Sequence, residues 1–170
     1  MITTRLATTA DIDTIAAIGS ASYTETFGYL FTDSELSTYL HSTYSVEKIT
    51  SSMEKSVNRY FMVELDGEPI GFMKLKYPCL HDDLTVPRQM QLQKIYVKPG
   101  VTGNGAGTHL MKKCAEEARH KSPITVWLMV HVENERAIRF YHRFGYQDYG
   151  QRFFDFGSKR IYFRLMVKEY

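Results

Sequence analysis

One stretch limits what this chain can fold into more than any other: Tyr96-Val97-Lys98-Pro99-Gly100-Val101-Thr102-Gly103-Asn104-Gly105-Ala106-Gly107-Thr108. An apolar, strand-like run over residues 92–97 stops at Pro99-Gly100, passes glycines at 103, 105 and 107, and opens directly into a helical pattern over residues 109–120. A strand, a glycine loop and a helix in that order can wrap backbone N–H groups around an anion. Glycine removes the side chains that would hold the anion away, and the first helical turn offers unpaired donors at the positive end of its dipole. The segment therefore reads as a site for a phosphate-bearing cofactor; the plain alternative is a turn that merely joins a strand to a helix. A Walker loop needs Lys-Ser/Thr at its end, and here Gly107 is followed by Thr108-His109-Leu110. A dinucleotide fingerprint has its third glycine one residue later and opens a βαβ unit, whereas about 90 residues precede this loop.

The rest of the chain sets the frame for that loop. Its 170 residues fit one domain spanning 1–170, a size that buries about 70% of its unfolded surface in a single core. A net charge of +2, with scattered basic residues, argues against nucleic acid as a partner. The N-terminal residues lack the apolar run of a signal peptide, and no stretch approaches the length of a membrane span, so the expectation is a cytoplasmic protein with no membrane partner. Cys79 and Cys114 have no spacing suggestive of a metal or disulfide, and the six His residues do not cluster, so no metal site is expected.

Periodicity supplies the elements. A first strand over residues 2–6 precedes Thr8-Thr9-Ala10-Asp11, a capping pattern before a helix to about Ser22. Thr32-Asp33-Ser34-Glu35 repeats the pattern ahead of Leu36, Tyr39 and Leu40, and Ser45 precedes Val46, Ile49 and Met53 at helical spacing. Strands over 60–65 and 69–77 flank the hairpin signal Asp66-Gly67, and 78–89 reads as a loop. A strand over 91–97 leads into the glycine loop and a helix with inner face Leu110, Met111, Cys114, Ala115 and Ala118. A buried strand over 124–130, a helix over 134–144 and an antiparallel pair over 146–156 and 160–167, turned by Gly157-Ser158-Lys159, complete the chain. This succession, βααα-ββ-βα-βα-ββ, specifies an α/β (α+β) fold with a mixed central sheet covered by helices.

Two segments carry a family likeness. Ile95-Tyr96-Val97-Lys98-Pro99 followed by Gly103-x-Gly105-x-Gly107 resembles the acetyl-CoA loop of the GNAT family of N-acetyltransferases. Downstream, Asn134-Glu135-Arg136-Ala137-Ile138-Arg139-Phe140-Tyr141-His142-Arg143-Phe144-Gly145-Tyr146 is similar to that family's N-x-x-A-x-x-F-Y-x-x-x-G-F/Y segment. Together they span residues 91–146, in order, with a helix and a buried strand between them. Within the family the pattern is closest to the PaiA-type polyamine N-acetyltransferases, through Glu25-Thr26-Phe27, Tyr39-Leu40, Asp66-Gly67 and Ile124-Thr125-Val126-Trp127-Leu128.

The resemblance implies a GNAT fold: a mixed, mostly antiparallel sheet of about seven strands flanked by helices and splayed at the acetyl-CoA site. It implies that Thr102, Gly103, Asn104, Gly105, Ala106, Gly107 and Thr108 hold the CoA pyrophosphate. The backbone of Ile95, Tyr96 and Val97 would serve the pantetheine amides and the thioester carbonyl, Asn134 the pantetheine arm, and Tyr141 the sulfur. Tyr141 then acts as general acid toward the CoA thiolate; reference values of about 10 and about 8.5 make that transfer uphill by about 2 kcal/mol unless the proton is replenished from the attacking amine. From periodicity alone Tyr141 reads first as a core tyrosine beside Phe140, and the Asn134 and Ala137 spacing reverses that preference.

Two departures from the family pattern stand out. Thr102 occupies a position where Gln or Arg is usual, which removes one longer polar contact to the pyrophosphate. Gln91 and Gln93 stand where polyamine acetyltransferases often place Glu, and neither is a base. A primary amine with pKa of about 10.4 must lose a proton before it attacks, at roughly 4 to 5 kcal/mol near neutrality without assistance. A water on Gln93 or on backbone carbonyls is one carrier for that proton. Tyr23, Glu25, Tyr29, Asp82 and Asp83 are candidates for gripping a cationic amine, with solvated surface residues the blander alternative.

The reading that results is an acetyl-CoA-dependent N-acetyltransferase working by direct attack in a ternary complex, with a small-molecule amine, foremost a polyamine such as spermidine, as acceptor. Protein amines and aminoglycoside-like molecules are the enzymatic alternatives, and a non-catalytic CoA-binding regulatory protein is the alternative from another class. The aromatic segment Phe153, Phe154, Phe156, Tyr162 and Phe163 suits a homodimer contact as well as a sheet edge or a monomer core.

Overall fold

Local capping chemistry starts the N-terminal helices. The computed structural model describes residues 1–101, 103–156 and 159–170. After β1 (Ile2–Leu6), the Asp11 carboxylate accepts the Thr8 N–H at 2.8 Å and closes a short 3-10 turn ahead of α1 (Ile12–Phe27). The Thr32 hydroxyl and the Glu35 carboxylate cap each other's backbone N–H at 3.3 and 2.8 Å to open α2 (Asp33–Tyr44). Ser45 does the same for α3 (Val46–Met53) through the Lys48 N–H. The first helix extends five residues past the expected Ser22, because Tyr23 and Phe27 continue its inner face at i and i+4.

The strands are β2 (Asn58–Leu65), β3 (Glu68–Lys76), β4 (Gln89–Val97), β5 (Thr125–His131), β6 (Gln147–Phe156) and β7 (Lys159–Glu169). Helix α4 (Ala106–Arg119) follows β4, and α5 (Glu135–Arg143) follows β5. Seven strands form one open sheet in the order β1-β2-β3-β4-β5-β7-β6, as the mixed sheet flanked by helices requires. The β1–β2, β5–β7 and β6–β7 pairs are antiparallel, and β4–β5 is parallel. The parallel ladder covers only three residue pairs, Gln89–Thr125 to Gln91–Trp127. Of the last turn, Gly157 and Ser158 lie outside the described residues.

By its internal packing the chain divides into two compact units, Met1–Leu75 with Lys94–Cys114 and Lys76–Gln93 with Ala115–Tyr170. In the first, Ile15, Ile18, Tyr44, Ile49, Tyr60, Met62 and Phe72 form a core against which Phe27, Phe31, Tyr39 and Tyr96 pack. Arg5 anchors its edge, holding Asp11 through both carboxylate oxygens at 2.7 and 2.8 Å and Glu64 at 2.8 Å. In the second, Trp127 packs with Leu84 and Leu165 and donates its indole N–H to the Cys79 carbonyl at 2.9 Å. The buried Gln89 side chain holds the 78–89 loop by accepting from His81 N–H at 2.7 Å and donating to the Leu84 and Val86 carbonyls at 3.0 and 2.8 Å. No helix among the described residues is long and apolar enough to cross a membrane.

Candidate active site

The glycine loop has the form an anion cradle needs. Gly103 and Gly105 both take φ of +93°, a backbone that favours glycine, and a side chain added at Gly103 would meet no atom within 4 Å, so the loop is open on that side. The first hydrogen bond of α4 that reaches back is His109 N–H to the Gly105 carbonyl at 3.0 Å. Ala106, Gly107 and Thr108 therefore form the first helical turn, three residues earlier than periodicity places it. The Ala106 N–H donates to the Asn104 side-chain oxygen at 3.0 Å, while the Gly107 and Thr108 N–H groups stand ahead of the helical ladder at the positive end of the dipole. A pyrophosphate fits this arrangement. Thr102 lies outside the described residues.

Strand β4 leads into that loop. Lys98 N–H donates to the Ile70 carbonyl of β3 at 2.7 Å, so strand alternation turns the backbone of Ile95 and Val97 to the opposite edge. Both residues lie beyond the last pairing with β5. The Val97 carbonyl already accepts from the buried Ser22 hydroxyl of α1 at 3.1 Å, which ties the end of the strand to the first helix. Gly71 on β3 permits the close approach of β4, because an added Cβ would stand 2.5 Å from the Tyr96 carbonyl oxygen and 3.1 Å from Val97 Cα.

In the second unit, Asn134 caps α5, its side-chain oxygen accepting the Ala137 N–H at 3.1 Å. That contact leaves the amide NH2 as the end of Asn134 able to serve a ligand carbonyl. Tyr141 is 8% exposed, with Phe140 and Tyr146 rings at 5.6 and 6.1 Å. Gly145 terminates the helix at φ +82°.

The expected amine-gripping residues are not of one kind. Tyr23 is buried, stacked on Tyr39 at 4.4 Å, and burial pushes its phenol upward from the ordinary value. Glu25 and Tyr29 are exposed at the end of α1 and in the turn that follows it. Asp82 is exposed; Asp83 forms an ion pair with Arg152, and its carbonyl accepts from the Tyr149 hydroxyl at 3.2 Å. Gln93 is exposed, and Gln91 accepts from Cys79 Sγ at 3.6 Å.

Comparison with known proteins gives this geometry a family. The chain matches the acetyltransferase (GNAT) family over residues 22–146. It belongs to that family. The chain is 22% identical over 141 residues to a spermidine N(1)-acetyltransferase of Thermoplasma acidophilum, covering 81% of this chain and 83% of the relative. An uncharacterized N-acetyltransferase of Lactobacillus delbrueckii subsp. lactis is 24% identical over 150 residues, with 88% and 87% covered. Among solved structures, the PaiA N-acetyltransferase of Thermoplasma acidophilum in complex with coenzyme A superposes with a TM-score of 0.79 at 22% identity, covering 100% of this chain and 99% of the other. The GNAT fold and an acyltransferase activity with acetyl-CoA as cosubstrate follow from family membership.

This acetyltransferase carries one group that motif spacing does not disclose. Lys94 shares a face of β4 with Tyr96, and its Nζ donates to the Tyr44 hydroxyl at 3.1 Å while lying 4.4 Å from the centre of the Tyr44 ring. The Tyr44 hydroxyl in turn donates to that of Tyr96 at 3.1 Å. Burial without an opposite charge lowers Lys94 from 10.5 to about 8 and pushes the Tyr44 and Tyr96 phenols upward. The available signal was a lysine alternating with a tyrosine at the end of β4, but its surroundings depend on Tyr44, far away in sequence.

Proposed function

We propose that this acetyltransferase moves the acetyl group of acetyl-CoA onto a primary amine by direct attack, with polyamines such as spermidine as the leading acceptor class. The observation that carries the reading is the opening of α4, whose first turn at Ala106, Gly107 and Thr108 follows directly on Gly103 and Gly105 at φ +93°. Acetyl-CoA, when bound, supplies the acetyl group as a reactive thioester. The loop holds its pyrophosphate, and the Asn134 amide, fixed by its capping bond, donates to the pantetheine arm. Backbone N–H groups on the free edge at Ile95 and Val97 donate to the carbonyl oxygen as negative charge develops there, an oxyanion-type contribution. The amine nitrogen bonds to the acetyl carbon as the carbon–sulfur bond breaks, and Tyr141 gives its phenol proton to the departing sulfur.

The polyamine reading is supported by the name of the Thermoplasma relative and by exposed acids at Glu25 and Asp82. The test is CoA release from acetyl-CoA across polyamines, amino acids, aminoglycosides and peptides. Turnover with spermidine or spermine above the other classes supports the reading, and a preference for peptides or aminoglycosides replaces it. CoA binding without turnover anywhere in the panel marks a regulatory CoA-binding protein. Tyr141→Phe should lower turnover by about tenfold or more with little change in acetyl-CoA affinity; undiminished turnover removes Tyr141 from the mechanism.

A further inference from the structure

The amine must lose a proton before it attacks, and Gln91 and Gln93 on β4 offer no base for it. We propose that Lys94 is the base: as a neutral amine it takes a proton from the acceptor's ammonium group, so that the acceptor attacks as a free amine. The inference rests on the amine N-acetyltransferase reading above. Lys94 lies on the strand whose far edge carries Ile95 and Val97, directly before Ile95 and three residues before Val97. Its surroundings favour the neutral form. Tyr44 and, behind it, Tyr39 come from α2, Tyr23 from α1, Tyr96 from β4 itself, and Tyr60 from β2. These phenols are all held above their ordinary values, so none supplies a negative charge near neutrality. Among the described residues no carboxylate pairs with Lys94, and its ammonium donates to the Tyr44 hydroxyl. A hydroxyl serves both states of the lysine, accepting from the ammonium and donating to the neutral amine.

The protons balance. Acceptor ammonium and neutral Lys94 give free amine and Lys94 ammonium; attack then forms the carbon–nitrogen bond, and the second nitrogen proton replaces the one that Tyr141 gives to sulfur. Lys94 returns its proton to solvent. A lysine lowered toward neutrality suits this work, since a base is most effective when its own value lies near the working pH.

The experiment is kcat/KM against pH for the wild type, Lys94→Met and Lys94→Arg, with the best acceptor from the amine panel and with acetyl-CoA affinity measured in parallel. The wild type should show an acid limb near 8, set by Lys94. Both variants should keep acetyl-CoA affinity and lose about 100-fold in kcat/KM near neutrality, with the limb moving up toward the acceptor's own value of about 10. Trimethylamine, a tertiary base that forms no stable amide, should restore part of the Lys94→Met rate. Full activity in Lys94→Arg, which keeps the charge without the base, overturns the inference and makes Lys94 an anion-holding residue instead. An unmoved acid limb in both variants overturns it as well. A wild type that turns over no amine removes the acetyltransferase reading and this inference together, whereas an active wild type with active variants removes only this inference.

Discussion

Replacing Gly71 by alanine tests whether the spacing of β3 and β4 sets up the site. The added methyl would sit 2.5 Å from the Tyr96 carbonyl oxygen, 3.0 Å from Val63 Cγ1 and 3.1 Å from Val97 Cα. Two of these three neighbours are backbone, so no rotamer change relieves the contact, and β4 has to move outward by several tenths of an ångström. Overpacking of this kind costs about 1 to 3 kcal/mol, and alanine returns roughly 0.5 to 1 kcal/mol through the lower chain entropy of the unfolded state. The net loss lies between about 0 and 2.5 kcal/mol, centred near about 1 kcal/mol, which at an m-value of about 2 kcal/mol/M lowers the urea midpoint by roughly 0.5 M with the slope unchanged. Because the displaced residues are Tyr96 and Val97, acetyl-CoA affinity should fall along with stability. A midpoint equal to or above that of the wild type, with unchanged affinity, would refute the argument that close approach at Gly71 positions the strand.

Other outcomes follow from individual contacts. Asn134→Asp keeps an oxygen for the Ala137 N–H but loses the amide donor, so thermal stability should hold while acetyl-CoA binds more weakly; Asn134→Ala should in addition lose about 1 kcal/mol of stability with the cap. Arg5 holds the Asp11 carboxyl down at about 2 from 3.8. Since the folded value is the lower one, this stabilisation is complete above about pH 4 and is lost as pH falls through 2. Urea midpoints of the wild type and Asp11→Asn should therefore differ by a constant amount above about pH 4 and converge toward pH 2; a gap that stays constant at low pH contradicts the pairing.

What was legible in the sequence was local. The caps at Thr8, Thr32 and Ser45, the Asp66-Gly67 hairpin and the glycine loop are each written in a few adjacent residues, and each appears in the structure. The sheet as a mixed, open arrangement followed from the order of strands and helices. Boundaries slipped where apolar spacing and helix geometry diverge. Ala106, Gly107 and Thr108 have little apolar pattern, yet they form the first turn of α4, while Tyr23 and Phe27 carried α1 beyond Ser22. The features that stayed hidden depend on partners far away in the chain. Asp83 is paired with Arg152, Gly71 makes room for Tyr96, and half-buried Lys94 lies against Tyr44. Gly19 is of the same kind, since a Cβ there would stand 2.4 Å from the Tyr44 ring that receives Lys94.

The central claim is that this chain transfers acetyl from acetyl-CoA to a primary amine. Incubation with isotopically labelled acetyl-CoA and an amine panel, followed by mass spectrometry of the products, measures that transfer directly. The account predicts a mono-acetylated amine carrying the label, formed in step with free CoA. Saturable acetyl-CoA binding with no labelled product from any amine would contradict it.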